Sequence, residues 1–301
     1  MERLFIMKNT KKVLALLLVL VMAIVALTGC GGGGDDKAGF TPDANSVLNT
    51  KVLRVGMECG YAPYNWTQNS DANGAVPIKD TKDFAYGYDV MMAKLIAEEL
   101  GYELEIQRID WDSLPVALQS GKLDCVIAGQ SITAERLQTV DFSTPYYYAD
   151  VVCLVKADGA YSAAQNVADL AGVKCTSQIN TIWYDVLDQI ADVDKLPPME
   201  TVPNMLVALD SGKVDLVCTD MPTAMAAVVA YPDMKIVDFA GGTGFEVSDE
   251  EVNIGISIQK GNAELVEQIN GVLANLTEDD YVEMTLEELL PNSFGGHICN
   301  I

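Results

Sequence analysis

The sequence predicts an α/β protein of two related lobes that face a common cleft, and two observations lead there. Short apolar, β-rich runs alternate with amphipathic helical stretches from residue 51 onward, a pattern that folds as βαβα units on a largely parallel sheet. One such unit also occurs twice. ALQSGKLDCVIAGQSIT from Ala117 and ALDSGKVDLVCTDMPTA from Ala208 share a helix end, a glycine turn, a charged pair and a following strand. Two lobes of one design are the economical explanation of that repeat. Ligands of open α/β sheets bind beyond the carboxyl ends of the strands, so residues 129–133 and 219–220 are expected to line the cleft.

Ahead of the first strand, residues 1–29 read as a signal peptide: Lys8, Lys11 and Lys12 precede an apolar run over 13–27, and LTGC follows. That run is short of the roughly 20 residues that span a bilayer. Leu27, Thr28, Gly29 and Cys30 resemble a bacterial lipobox, which implies cleavage before Cys30 and a lipid on its sulfur. Residues 30–50, glycine-rich and polar, are expected to form a flexible tether, with folding from Lys51. Residues 1–30 hold four of the 19 basic and one of the 43 acidic residues, so the remainder carries 15 against 42, a formal charge of −27. Such a surface repels nucleic acid and anionic lipid alike, and membrane attachment is expected through the lipid on Cys30 rather than through a basic face.

The elements follow in order. KVLRVGM is a strand that ends at Glu58, and Tyr61, Tyr64 and Trp66 crowd the loop after it. YDVMMAKLIAEELG is a helix closed by Gly101, ELEIQRI a second strand, and Trp111 stands just beyond its end. Aromatic faces of this kind sandwich small solutes, and Tyr61 and Trp111 are the candidates, whereas Tyr64 and Trp66 read as core or rim packing. SLPVALQSG is a helix ended by Gly121, and KLDCVIAG is the strand that delivers Gly129. Ser131 and Thr133 are placed to cap a helix whose first turn holds Glu135 and Arg136, and a guanidinium there suits a carboxylate. In the second copy of the repeat, Asp220 takes the strand-end position, and with Glu58 it would pair a buried ammonium group.

Catalytic and metal chemistry find little support. The single histidine is His297, and no GxSxG, HExxH or GxxxxGK[ST] string occurs, so no cofactor is expected. The cysteines after Cys30, at 59, 125, 153, 175, 218 and 299, form no CxxC pair, and no metal site is expected. Cys125, Cys153, Cys175 and Cys218 lie in apolar runs where a thiol behaves as a small hydrophobe.

Taken together, LRVGMECGYAPYNW, YGYDVMMAKLIAEELG, WDSLPVALQSGKLDCVIAGQSITAERLQTVDFSTPYY, VADLAGVK and VALDSGKVDLVCTDMP, in that order over 51–290, resemble the family 3 solute-binding proteins of ABC transporters. The resemblance implies a periplasmic-binding-protein-like fold, with lobe 1 over 51–146 and 255–291, lobe 2 over 150–250 and an unplaced tail over 292–301. Two hinge strands would cross between the lobes near 146–150 and 250–254. It further implies a free amino acid as ligand and an ABC permease with its ATPase as partner. Arg136 would hold the α-carboxylate with the backbone of Ser131 and Thr181 and the carbonyl of Gly129. Asp220 would take the α-ammonium, Tyr61 and Trp111 would form the sandwich, and Glu58 and Gln178 would face the side chain. The loop SQINT departs from the pattern, with Asn180 where the family usually has glycine, and Gln130 is a second departure. An enzyme on the same fold, a cyclohexadienyl or arogenate dehydratase with Glu58 as general acid, is the alternative.

Overall fold

A computed structural model describes residues 40–239 and 243–276. Cys30 and the signal peptide, much of the expected tether, and the tail with His297 and Cys299 lie outside the described residues.

The chain enters through helix α1 (Val47–Thr50), capped by Ser46, and then forms strand β1 (Val52–Met57). Strands β2 (Gly60–Tyr61), β3 (Asn65–Gln68), β4 (Val76–Pro77) and β5 (Phe84–Tyr86) build a small antiparallel sheet in the order β2–β3–β5–β4. Helix α2 (Tyr88–Leu100) buries Val90, Met92, Ala93, Ile96 and Ala97, one stripe at helical spacing, and Gly101 ends it in the left-handed conformation at φ 66°. There follow β6 (Glu103–Arg108), α3 (Leu114–Gln119), β7 (Cys125–Val126) and β8 (Val140–Phe142). The chain then crosses as β9 (Tyr147–Tyr148) into β10 (Val151–Lys156), β11 (Lys174–Thr176), α4 (Ile182–Asp185), β12 (Asp194–Lys195), α5 (Val202–Asp210), β13 (Leu216–Asp220), α6 (Met221–Ala230) and β14 (Met234–Val237). It returns through α7 (Asp249–Val252) and β15 (Asn253–Ile254) to β16 (Ser257–Gln259) and α8 (Ala263–Leu273).

The two five-stranded sheets have one topology. The first runs β6–β1–β7–β16–β8 and the second β12–β11–β13–β10–β14. In each, the first three strands are parallel and the last two ladders antiparallel, so the sheets are mixed rather than largely parallel. The repeated sequences α3–β7 and α5–β13 occupy equivalent places, the third strand of each sheet and the helix before it. The fourth strand of each sheet, β16 or β10, has just crossed from the other lobe, so each lobe completes the other. The crossing strands pair with each other, Tyr148 with Asn253 and Tyr147 with Ile254, at the positions expected for hinges.

Residues 43–50 correct the expected tether. Val47 is fully buried, and its N–H donates to Asp124 Oδ1 at 2.9 Å. Asp124 also accepts from the Arg54 backbone at 2.9 Å and from Arg54 Nε at 2.8 Å and Nη2 at 2.9 Å. A composition-based boundary cannot register one apolar side chain and one distant carboxylate that together fasten a polar segment. The predicted burial of Cys125, Cys153, Cys175 and Cys218 holds, with all four inside the two cores.

Asp124→Ala is expected to destabilise the fold by about 3–5 kcal/mol, because it leaves the buried Val47 N–H without a partner and a mostly buried guanidinium with the Gly121 carbonyl as its remaining acceptor. Asp215, the matching residue of the second repeat, is exposed, and its replacement by alanine should shift the urea midpoint little.

Candidate functional site

The strand ends that the sequence singled out come together between the lobes. Trp111 Nε1 donates to the carbonyl of Ile179 at 2.8 Å, and Asn180 Nδ2 to Asp112 Oδ1 at 2.8 Å. Gln178 Nε2 donates to Glu58 Oε2 at 3.0 Å, and the Tyr61 hydroxyl donates to Asp220 Oδ2. Each of these bonds joins one lobe to the other, so the lobes stand closed.

Arg136 sits on the first-lobe side of this seam. The expected helix there is a single 3-10 turn, Arg136–Gln138, in which Thr133 Oγ1 accepts from Arg136 N at 3.2 Å. Ser131 does not cap it, because it pairs with Ile254 of the crossing strand instead. Arg136 Nη1 donates to the Ser131 carbonyl at 2.8 Å and Nη2 to the Asn180 carbonyl at 2.8 Å, and the guanidinium lies 5.5 Å from the Trp111 ring centre. Each terminal nitrogen keeps a second hydrogen for a further acceptor. Burial pulls Arg136 down to about 10, which leaves it cationic at neutral pH.

Asn180 makes the second-lobe half of this contact in the left-handed region at φ 56°. Glycine is favoured in that conformation, and asparagine is among the few side chains that tolerate it, so the departure keeps the loop geometry. Beside it, the Thr181 hydroxyl donates to the Gln178 carbonyl at 2.7 Å. Gly129, three residues past β7, stands at φ 62°, and a Cβ there would lie 2.5 Å from the Tyr61 ring, so this position admits only glycine.

Asp220 is 0% exposed and caps α6: its Oδ1 accepts from Thr223 N at 2.9 Å and its Oδ2 from Thr223 Oγ1 at 3.0 Å. Two first-lobe hydroxyls reach it as well, Tyr61 and, at 3.3 Å, Tyr64. Tyr64 is buried, as a packing residue should be, yet it also touches the site, which corrects the sequence reading. Its ring stacks on Tyr61 with centres 4.7 Å apart, so the spacing Tyr61, Tyr64 was the signal. Burial raises the Asp220 carboxyl, with the Tyr61 and Thr223 hydrogen bonds opposing.

Glu58 is 9% exposed, and its Oε1 has no hydrogen-bond partner among the described residues. Burial pushes its carboxyl up to about 8, against the hydrogen bond from Gln178. It is therefore largely neutral at pH 7. All nine predicted positions thus line one seam. Asp112, Ile179 and Glu200 join them without having been singled out, and Asn180, noted only as a departure from the family pattern, joins them too, through backbone or loop contacts that residue type does not advertise. Among the described residues no group of histidine, cysteine and acidic side chains could hold a metal, and no helix is long and apolar enough to cross a membrane.

The family description "Bacterial extracellular solute-binding proteins, family 3" matches residues 53–288. The chain belongs to this family. A probable histidine-binding protein of Neisseria gonorrhoeae is 30% identical to this solute-binding protein over 271 residues, 90% of this chain and 92% of the relative. The L-cystine-binding protein TcyJ of Escherichia coli (strain K12) is 27% identical over 278 residues, 92% of this chain and 94% of that one. In three dimensions it resembles the amino acid ABC transporter substrate-binding protein AbpA of Streptococcus pneumoniae bound to L-arginine. That match has 29% identity and a TM-score of 0.69 and covers 82% of this chain and 98% of the other. All three are named as binding proteins, the last of them of an ABC transporter, and the family is one of solute-binding proteins rather than enzymes, so the dehydratase alternative is set aside.

A carboxyl raised from 4.5 to about 8 stabilises the fold fully below pH 4.5, and that contribution is lost as pH rises through 8. Glu58→Gln should therefore flatten the melting temperature of the ligand-free protein across this window. A slope equal to that of the wild type would place its origin elsewhere.

Proposed function

We propose that this solute-binding protein captures a free amino acid with a polar or cationic side chain by closing its lobes and delivers it to the permease and ATPase of an ABC importer. The observation that carries the reading is the placement of charge along the seam. The guanidinium of Arg136 lies on one stretch of it, and the buried carboxyl groups of Asp220 and Glu58, which pair with no cation among the described residues, lie on another. An amino acid presents the complementary set, an α-carboxylate and an α-ammonium on one carbon.

In this reading Arg136 binds the α-carboxylate, with the Ser131 and Thr181 backbones as further donors and the carbonyl of Gly129 beside them. Asp220 exchanges a tyrosine hydroxyl for the α-ammonium. Tyr61 and Trp111 cover the two faces of the ligand, and Glu58 and Gln178 receive its side-chain donors. The names of the relatives, which cite histidine, cystine and arginine, support this ligand class. A lipid on Cys30 would hold the protein on the extracytoplasmic face of the cell membrane after removal of residues 1–29. Cys30→Ser would then move the protein from the membrane fraction to the soluble one, and retention in the membrane would refute the anchor.

Calorimetric titration of the mature protein with the common amino acids and cystine tests the capture reading. Arg136→Ala should raise the dissociation constant about 100-fold or more, since it leaves a carboxylate unpaired in a desolvated cleft. Retained affinity would refute the carboxylate assignment. The charge of the ligand has its own signature. A cationic side chain at Glu58 draws its proton off, so the binding heat at pH 7 should change with the ionisation enthalpy of the buffer. A neutral side chain leaves that heat independent of buffer.

A further inference from the structure

Asp89 is the first-turn acid of α2, 0% exposed, and no cation pairs with it among the described residues. It lies outside the set of residues assigned to the ligand. Its two oxygens nevertheless end two hydrogen-bond chains that start at the two strand ends facing the seam. In one, Cys59 N–H donates to Asn65 Oδ1 at 2.8 Å, and Asn65 Nδ2 donates to Asp89 Oδ2 at 2.7 Å. In the other, Gly129 N–H donates to the Tyr146 hydroxyl at 3.2 Å, which donates to Asp89 Oδ1 at 2.6 Å.

Chain position makes these links matter. Cys59 follows Glu58, and Gly129 precedes the loop that carries Ser131 and Arg136. Tyr146 directly precedes the first crossing strand, and its N–H donates to the Ile254 carbonyl of the second at 2.9 Å. Its own carbonyl accepts from the Tyr88 hydroxyl at 2.9 Å, back on α2 beside Asp89. We propose that Asp89 is a positioning residue for ligand capture: its carboxylate locks the Glu58 loop, the Gly129–Arg136 loop and the hinge into one body.

The direction of the chains requires an acceptor at their centre. Two N–H groups point inward, and each relay, an amide or a hydroxyl, passes the donor role onward. Only a group that accepts at both oxygens completes both chains, and an ionised carboxylate does so whereas an amide does not. An asparagine at this position would set its NH2 against Asn65 Nδ2 or force the Tyr146 hydroxyl to accept twice. A carboxylate buried without a cation is costly; burial raises Asp89 to about 6, and the bonds from Tyr146 and Asn65 oppose that rise. An apolar side chain here would leave the buried Asn65 and Tyr146 donors without an acceptor, so the carboxylate is what holds the two chains, and with them the loops, in order.

The inference rests on the capture reading for its consequence but not for its geometry, and the two are tested separately. Amide hydrogen exchange of the ligand-free protein reads the geometry. Asp89→Asn and Tyr146→Phe should each speed exchange at Cys59 or Gly129 and at 146–148 by tenfold or more. The ladder of β1 with β6 should keep its protection. Unchanged rates at these amides, or loss across the whole first lobe, would overturn the proposal. Titration with an amino acid that the wild type binds reads the consequence: each single variant should raise the dissociation constant about tenfold or more, and the double variant no further than the worse single one. Additive losses would overturn the shared path. If no amino acid binds the wild type, the capture reading fails while the exchange result still decides the role of Asp89.

Discussion

The closed structure buries three carboxyl groups, Glu58 and Asp89 of the first lobe and Asp220 of the second, where water barely reaches, and the remaining features of the site answer that constraint. Buried charge must be hydrogen-bonded, paired or neutralised. Asp220 is bonded, by the first turn of α6 and by tyrosine hydroxyls from the opposite lobe. Asp89 is bonded by an amide and a hydroxyl. Glu58, with one oxygen unpartnered among the described residues, is the one left to neutralise by taking up a proton. A site with this balance favours an incoming donor or cation over an anion.

Arg136 poses the opposite problem. Its two terminal nitrogens hold carbonyls on the two sides of the seam, Ser131 and Asn180, so the guanidinium bridges the closed lobes directly. Any further acceptor would have to share those nitrogens. The guanidinium carbon lies over the Trp111 ring, whose π face attracts the cation without competing for its hydrogens. The left-handed turn at Asn180 aims the carbonyl that completes the bridge.

The exchange of a fourth strand between sheets explains why the hinge can carry such coupling. β10 and β16 are core strands of their lobes and also the continuations of the crossing pair β9 and β15. The crossing is therefore continuous with the fourth strand of each sheet. Ser131 pairs with Ile254, and the N–H of Gly255 reaches the Gln130 carbonyl at 2.9 Å, so the Arg136 loop is laced to the same crossing.

Sequence by itself determined the class of fold, the two-lobe design and the strand ends that meet at the site. These are local quantities: hydrophobic period, glycine at helix ends, and a repeat whose two copies fold alike because the same side chains recur in the same order. The positions of Glu58, Gly129, Arg136 and Asp220 followed, since a strand end is legible wherever the strand is. Tertiary structure alone decided the antiparallel half of each sheet, because strands that arrive from the other lobe leave no local pattern. It likewise decided the fastening of 43–50 by Asp124, the second role of Tyr64, and the chains that converge on Asp89. Each of these depends on a polar group meeting a partner many residues away, and whether a buried oxygen finds its donor is settled only when the chain has closed around it.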